Sequence, residues 1–281
     1  MKHGISVVSV VYNEEKRIER FIKSFYNFDE IILVNKSSTD RTAEIAESMG
    51  AKVITVPYGD NPHLIEPALE AASTDWVFLL TASDVIHPEY TKLLYKLIDD
   101  EDFESKYDII TYNCVMHVLG INNPYSVFDN KYRTGLCKKS VLSITDKVHH
   151  EYAFASDRVY TTPFDREVAV HHLSHETVDM YYDRQLRYSK QEMEHRVSLK
   201  SYFKVILKEV RNGFHKKFWK AGWKGLGLVL MMVNYRILIY LRAMEAEIGN
   251  VPELYNDYAK SLYEMDKMDF RNEEYKKISR K

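Results

Sequence analysis

Four short apolar runs, spaced by amphipathic and polar stretches, constrain the fold more than any other feature of this 281-residue chain. Ile5–Val11 reads I-S-V-V-S-V-V, and residues 31–34, 52–56 and 76–80 repeat the theme. Runs this short and this apolar suit strands buried on both faces of a sheet. Between the first two, Ile18, Phe21, Ile22 and Phe25 recur at helical spacing. A second helix is expected from the polar loop at 35–40 to about Met49, with Gly50 as its stop, and a third around residues 65–72. Strand and helix alternating through short links predict an α/β fold, a parallel sheet covered by helices on both faces.

The fourth run ends abruptly in Thr81, Ala82, Ser83 and Asp84, ahead of a helix that begins near Pro88. Ligands of open α/β sheets sit just beyond the carboxyl ends of the strands. Asp84 is therefore expected where a metal or phosphate is handled. The alternative at this point is a solvated aspartate in a helix-leading loop.

A net charge of −2 gives no global field that would draw nucleic acid. Two cysteines, Cys114 and Cys137, form neither a disulfide framework nor a metal-ligand pattern and are expected as buried thiols in a reducing compartment. The start, M-K-H-G, runs straight into a strand, so a cytoplasmic chain without a signal peptide is expected. Further on, a strand is predicted at 107–119, a turn at Asn122-Asn123-Pro124 and a returning strand over Tyr132–Lys138. Two histidine clusters follow, His149-His150-Glu151 and His171-His172 with His175. Ser174 is expected to cap a helix over residues 178–195. Its Arg184, Arg187 and Lys190 suit either contact with a diphosphate or a solvated face.

V-S-V-V-Y-N-E-E, I-I-L-V-N-K-S-S-T-D-R-T and D-W-V-F-L-L-T-A-S-D, in that order, resemble the family 2 glycosyltransferases. Four later stretches resemble their lipopolysaccharide-core and peptide-S-glycosyltransferase branch. These are K-V-H-H-E at His150, V-H-H-L at His172, Arg187-Tyr188, and G-W-K-G-L from Gly222. Arg133 falls where that branch often has arginine.

The resemblance implies a GT-A-type, mostly parallel sheet flanked by helices over residues 1–198, and a C-terminal helical annex over 199–281. It implies inverting transfer of a sugar from a nucleotide-diphosphate sugar, such as a UDP-sugar, to a cell-envelope glycan, lipid-linked or peptide acceptor. The donor would meet Val11, Tyr12, Asn13 and Glu14, then Asn35, Ser38 and Asp40, then Ala82 and Ser83, and Arg187. In that set Tyr12 covers the base and Glu14 accepts ribose hydroxyls. Asp84 and His172 are the implied ligands of Mg²⁺ or Mn²⁺, and Glu151, with His150 second, is the implied general base. The chain departs from the family pattern at three places. Asn35 replaces the usual Asp, Thr81-Ala82-Ser83 replaces Asp-x-Asp, and Ile65-Glu66 replaces an Arg-Asn pair. These departures keep an opposing expectation open: a non-catalytic nucleotide- or glycan-binding protein on the same scaffold.

Between Tyr202 and Arg242 nine lysines and arginines stand against one acid, Glu209, with Phe214, Phe218, Trp219 and Trp223 interleaved. The apolar run at 226–233 is cut by Asn234 and Arg236, well below the ~20 residues of a membrane span. Such a segment suits an anionic membrane surface, hence a peripheral position on the inner face of the cell membrane. It equally suits an annex packed on the catalytic domain. Nucleic acid finds local positive charge here but no readout motif. The remainder is charged and tyrosine-rich, with a helix expected around residues 253–265.

Overall fold

The computed structural model describes residues 3–59, 61–145, 152–191 and 199–266. All four apolar runs are strands: β1 (Ile5–Val11), β2 (Glu30–Asn35), β3 (Lys52–Thr55) and β4 (Trp76–Leu80). They lie parallel in the order β3-β2-β1-β4. Their period-two alternation feeds two separate cores. Val7, Leu33, Trp76 and Phe78 point to one face, against Phe21 and Phe25 of α1 (Glu15–Phe25). Val8, Ile32, Val77 and Leu79 point to the other, against Ile65 and Ala68. Ala68 belongs to α3 (Glu66–Ala71), which continues a 3₁₀ turn at Pro62–Ile65. Burial on both faces is the physical reason β1, β2 and β4 contain so little alternation, whereas β3, at the sheet edge, leaves Lys52 and Thr55 exposed.

Gly50 ends the helix α2 (Thr42–Ser48) as expected, with a φ of +85° that side chains resist. Past β4 the chain makes β5 (Asp84–Ile86) and then α4 (Pro88–Ile98), with Pro88 in its first turn and His87 Nδ1 accepting from the Glu89 amide. After α5 (Glu101–Lys106), β6 (Ile109–Val118) and β7 (Tyr132–Lys138) form the expected antiparallel pair, and β7 also runs antiparallel to β4. A small hairpin, β8 (Leu142–Ile144) with β9 (Tyr152–Phe154), stands apart from the main sheet. Both β10 (Val159–Thr161) and β11 (Val170–Ser174) add parallel to β6, and β11 also pairs antiparallel with β5. The sheet is thus mixed, with its parallel half first, and it is flanked by helices. Cys114 and Cys137 are buried free thiols, their pKa values pushed up to about 12 by burial.

Four helices follow: α6 (Val178–Gln191), α7 (Leu199–His215), α8 (Gly222–Ile248) and α9 (Val251–Asp266). Thr177, not Ser174, caps α6, its Oγ1 accepting from the Met180 amide at 3.1 Å. Ser174 is instead the last residue of β11 and is buried. Two compact units emerge. The first comprises Met1–Asp183 with Asn212–Leu230, and the second Arg184–Arg211 with Met231–Lys281. The stretch Asn212–Leu230 groups with the sheet, in the first unit. Two close approaches pack that stretch on itself: a Cβ at Gly213 would meet Val229 Cγ2 at 2.7 Å, and one at Gly225 would clash with the Phe218 carbonyl. In the second unit Arg236 reaches Glu209 at 2.9 Å, and Tyr202 stacks on Tyr240 with ring centroids 4.0 Å apart.

Candidate active site

The chain steps from β1 outward to β2 and β3, then returns past β1 to place β4 on its other side. Connections therefore leave β1 and β4 toward opposite directions. A crevice opens between them at their carboxyl ends, the topological switch point where α/β sheets take ligands. The loops after β1, β2, β3 and β4 border it, and they contain most of the residues that the sequence marks out.

Side chains lace the first two loops together. Asn13 holds a left-handed φ of 52°, its amide donating to Ser38 Oγ at 3.0 Å and its Oδ1 accepting from the Thr39 amide at 2.9 Å. The amides of Glu14 and Glu15 donate to Thr42 Oγ1 and Asp40 Oδ2 at 2.7 and 3.1 Å. Burial alone would raise the Asp40 pKa. The Thr42 hydroxyl and the amides of Glu15 and Thr42 outweigh it and hold the carboxyl below its ordinary value. Ser38 and Asp40 thus shape the loop, and Asp40 is engaged as an acceptor throughout. Asn35, buried at the end of β2, accepts from the Ser38 amide at 3.0 Å and donates from Nδ2 to Thr55 Oγ1 at 3.3 Å. An aspartate lacks that donor, so the replacement changes what this position can present to a base. Val11 ends β1, and its carbonyl accepts from the Lys36 amide at 2.9 Å. Tyr12 is half-buried, its ring 4.7 Å from that of Tyr58 in the loop after β3. Lys36 Nζ lies over the Tyr58 ring and donates to the Gly59 carbonyl at 2.8 Å. Sequence reading missed Tyr58; a lone aromatic after Pro57 was its only signal.

Across the crevice, Arg17 of α1 donates from Nη1 to Ser83 Oγ at 3.0 Å while pairing with Glu14. Ala82 and Ser83 are both buried. Asp84 is fully buried, and neither a solvated side chain nor an open ligand. Its Oδ2 accepts from the Thr81 amide and hydroxyl at 2.7 and 3.0 Å, and its Oδ1 lies 2.7 Å from His172 Nδ1. Arg133 Nη1 sits 3.5 Å from the same Oδ1 and 3.3 Å from His172 Nδ1. Burial works against the Asp84 charge, but His172 and Arg133 outweigh it, and the pKa lies below the ordinary carboxylate value. The β5–β11 ladder explains the meeting, since it pairs His172 directly with Asp84.

A divalent ion of the Mg²⁺ or Mn²⁺ kind takes about six oxygen-rich ligands. Here the two implied ligands bond to each other, both carboxylate oxygens are engaged, and a guanidinium lies against the pair. No third His, Cys, Asp or Glu joins them among the described residues. Asp84 and His172, the implied metal ligands, are thus brought together but already engaged by each other, by Thr81 and by Arg133, and the described donors alone do not complete the shell of a protein-held divalent ion.

Arg187 belongs to the second compact unit, 5.6 Å from the Tyr188 ring. Glu151 and His150 lie outside the described residues. The neighbouring His171 is directed away from Asp84, toward His117 Nε2 at 3.1 Å and the Glu167 carbonyl. Burial first, then His171, pushes the His117 pKa down to about 4. A cavity of about 520 Å³ opens beside them, lined by Asn122, Arg166, His171 and Lys224.

Residues 6–136 match the family described as Glycosyl transferase family 2. Over 86 residues the chain is 38% identical to an uncharacterized glycosyltransferase of Rickettsia bellii, covering 30% of this chain and 29% of the relative. Over 61 residues it is 47% identical to the 4,4'-diaponeurosporenoate glycosyltransferase of Staphylococcus haemolyticus, covering 21% of this chain and 16% of that protein. The matched stretch thus spans less than a third of these curated relatives. A solved structure of glucosyl-3-phosphoglycerate synthase from Mycobacterium tuberculosis, in complex with Mn²⁺, uridine-diphosphate and phosphoglyceric acid, is similar at 23% identity. That match covers 50% of this chain and 57% of the other, with a TM-score of 0.37. Residues 6–136, which carry β1 to β4, the crevice loops and most of β7, are thus similar to the glycosyl transferase family 2 domain.

Proposed function

We propose that the chain is an inverting glycosyltransferase that draws its sugar from a nucleotide-diphosphate donor held in the β1–β4 crevice. The observation that carries this reading is the composition of that crevice. Tyr12, Tyr58 and Asn35 offer rings and an amide at one end, and Arg17 and Arg133 bring cations to the Thr81 loop at the other. In the transfer, the bond from the anomeric carbon to the diphosphate breaks with its electron pair on the diphosphate oxygen. The acceptor atom bonds from the opposite face, and its proton passes to a base. Glu151 is the first choice for that base and His150 the second. Motif resemblance supports a cell-envelope glycan, a lipid-linked precursor or a peptide as acceptor.

The test is a screen of UDP-, GDP-, CDP- and dTDP-sugars for binding and for slow release of nucleoside diphosphate. Release from at least one donor supports the enzyme. Binding without any release supports the opposing reading, a non-catalytic module.

The position on the inner face of an anionic membrane rests on a separate observation. Trp219 and Trp223 are 52% and 81% exposed, where an annex packed on the catalytic unit calls for burial. Helix α8 also continues past Asn234 and Arg236, so Phe218–Ile248 holds an 18-residue window with a mean hydropathy of 1.5 and is long and apolar enough to cross a bilayer by length and composition. Two of the lysines are engaged with the first unit, Lys216 through the Asp129 carbonyl at 2.8 Å and Lys220 over the Tyr125 ring. The aromatic rings, more than those lysines, therefore carry the contact. The full chain is expected to float with phosphatidylglycerol vesicles at low salt and to lose most of that binding in Trp219→Ala/Trp223→Ala. Retention in the soluble fraction at low salt contradicts membrane contact.

A further inference from the structure

We infer that Arg133 binds the diphosphate of the donor, taking the place that a protein-held divalent ion has in a site of this kind. The inference rests on the proposed nucleotide-sugar reading and deepens it. Strand register delivers the residue. Trp76 pairs with Lys138, Val77 with Cys137 and Phe78 with Leu136, and a Cβ at Gly135 would stand 3.0 Å from the Leu79 carbonyl. Carried on in the same sense, β7 passes the carboxyl end of β4 and brings Arg133 to the Thr81–Asp84 loop. The 3.5 Å approach to Asp84 confirms that level.

The charges around it are consistent with a cation left available to a ligand. Asp84 is satisfied without Arg133, by the Thr81 amide and hydroxyl and by His172. Arg133 stands outside hydrogen-bond geometry to that carboxylate, and its side chain is 28% exposed while Asp84 is wholly enclosed. Its Nη2 donates to the weak acceptor Met116 Sδ, at 3.5 Å, and the Tyr112 hydroxyl and His172 Nδ1 hold the rest of the guanidinium in place without neutralising its charge. A guanidinium is always charged and its planar fork matches phosphate oxygens two at a time. Arg17, directed at Ser83, stiffens the other wall of the same loop. The loop carries hydroxyls at Thr81 and Ser83 where two carboxylates would repel an incoming diphosphate that lacked an ion to bridge them.

The experiment is calorimetry of the full chain with nucleoside diphosphates and the matching nucleosides, in EDTA and again with Mn²⁺. The wild-type protein is expected to bind one diphosphate in EDTA with an affinity that Mn²⁺ changes little. Arg133→Gln is expected to weaken that diphosphate roughly 10- to 100-fold, as for loss of a charged hydrogen bond, while the nucleoside affinity stays unchanged. Arg133→Lys should recover part of the loss. If diphosphate binding vanishes in EDTA and returns with Mn²⁺, the proposal is overturned; the wild-type arm gives this answer even should the variants fold poorly. Equal weakening of nucleoside and diphosphate in Arg133→Gln also overturns it, and leaves the donor reading intact. Absence of binding by the wild type under both conditions overturns the donor reading, and this inference with it.

Discussion

Asp84→Asn is expected to cost roughly 3–5 kcal/mol of stability, the range for removing one partner of a buried ion pair. The substitution keeps the shape of the side chain and one acceptor for the Thr81 amide. It removes the charge that faces His172 and Arg133 in a wholly enclosed position. The stability should depend on pH in a defined sense. The Asp84 pKa is lowered in the folded protein, so its contribution is complete above the ordinary carboxylate value and disappears as pH falls through the lower folded value. Denaturant unfolding of the wild type and variant at neutral and acidic pH measures both effects, and the difference between them should shrink toward acid. An unchanged midpoint at neutral pH, with only nucleotide affinity altered, would show that Asp84 is a ligand and not a structural charge.

The second large effect is on the transfer itself. A base that takes the acceptor's proton must be a carboxylate or imidazole poised near the acceptor. Glu151→Gln retains size and polarity and removes the proton-accepting oxygen charge. A loss of about 10²-fold or more in transfer rate is expected, with donor binding retained, in the range for general-base removal. Steady-state rates alongside calorimetry separate the two quantities. Near-normal turnover excludes Glu151 and passes the role to His150.

What the sequence made legible was local. The inner strands of the parallel half announce themselves, because burial on both faces demands a nearly unbroken apolar run, as in Trp76–Leu80. Likewise the polar loops after those strands could be read as ligand-facing from the α/β rule alone. The meeting of Asp84 with His172 was implied by the resemblance and by no local pattern, and the full engagement of the Asp84 carboxylate was not legible. Its partner His172 lies 88 positions away and meets it only through the β5–β11 ladder, and neither short strand has a pattern that stands out. Tyr58 escaped for the same reason, since it acts through a neighbour that tertiary structure supplies, and Arg133 was marked by resemblance alone, without its contacts. The apolar run at 226–233 looked shorter than the helix that contains it. Arg236 has its charge met by Glu209, and a paired arginine does not end a helix.

The central claim is that the β1–β4 crevice holds a nucleoside diphosphate, and a crystal structure of the full chain with the nucleoside diphosphate that binds it tests this most directly. The account predicts the base against Tyr12 and Tyr58, the ribose near Glu14, and the diphosphate within hydrogen-bond distance of Arg133 with no protein-ligated metal on Asp84. A nucleotide seated elsewhere, such as the cavity beside Arg166 and His171, or a divalent ion coordinated by Asp84 and His172 with Arg133 turned away, would contradict it.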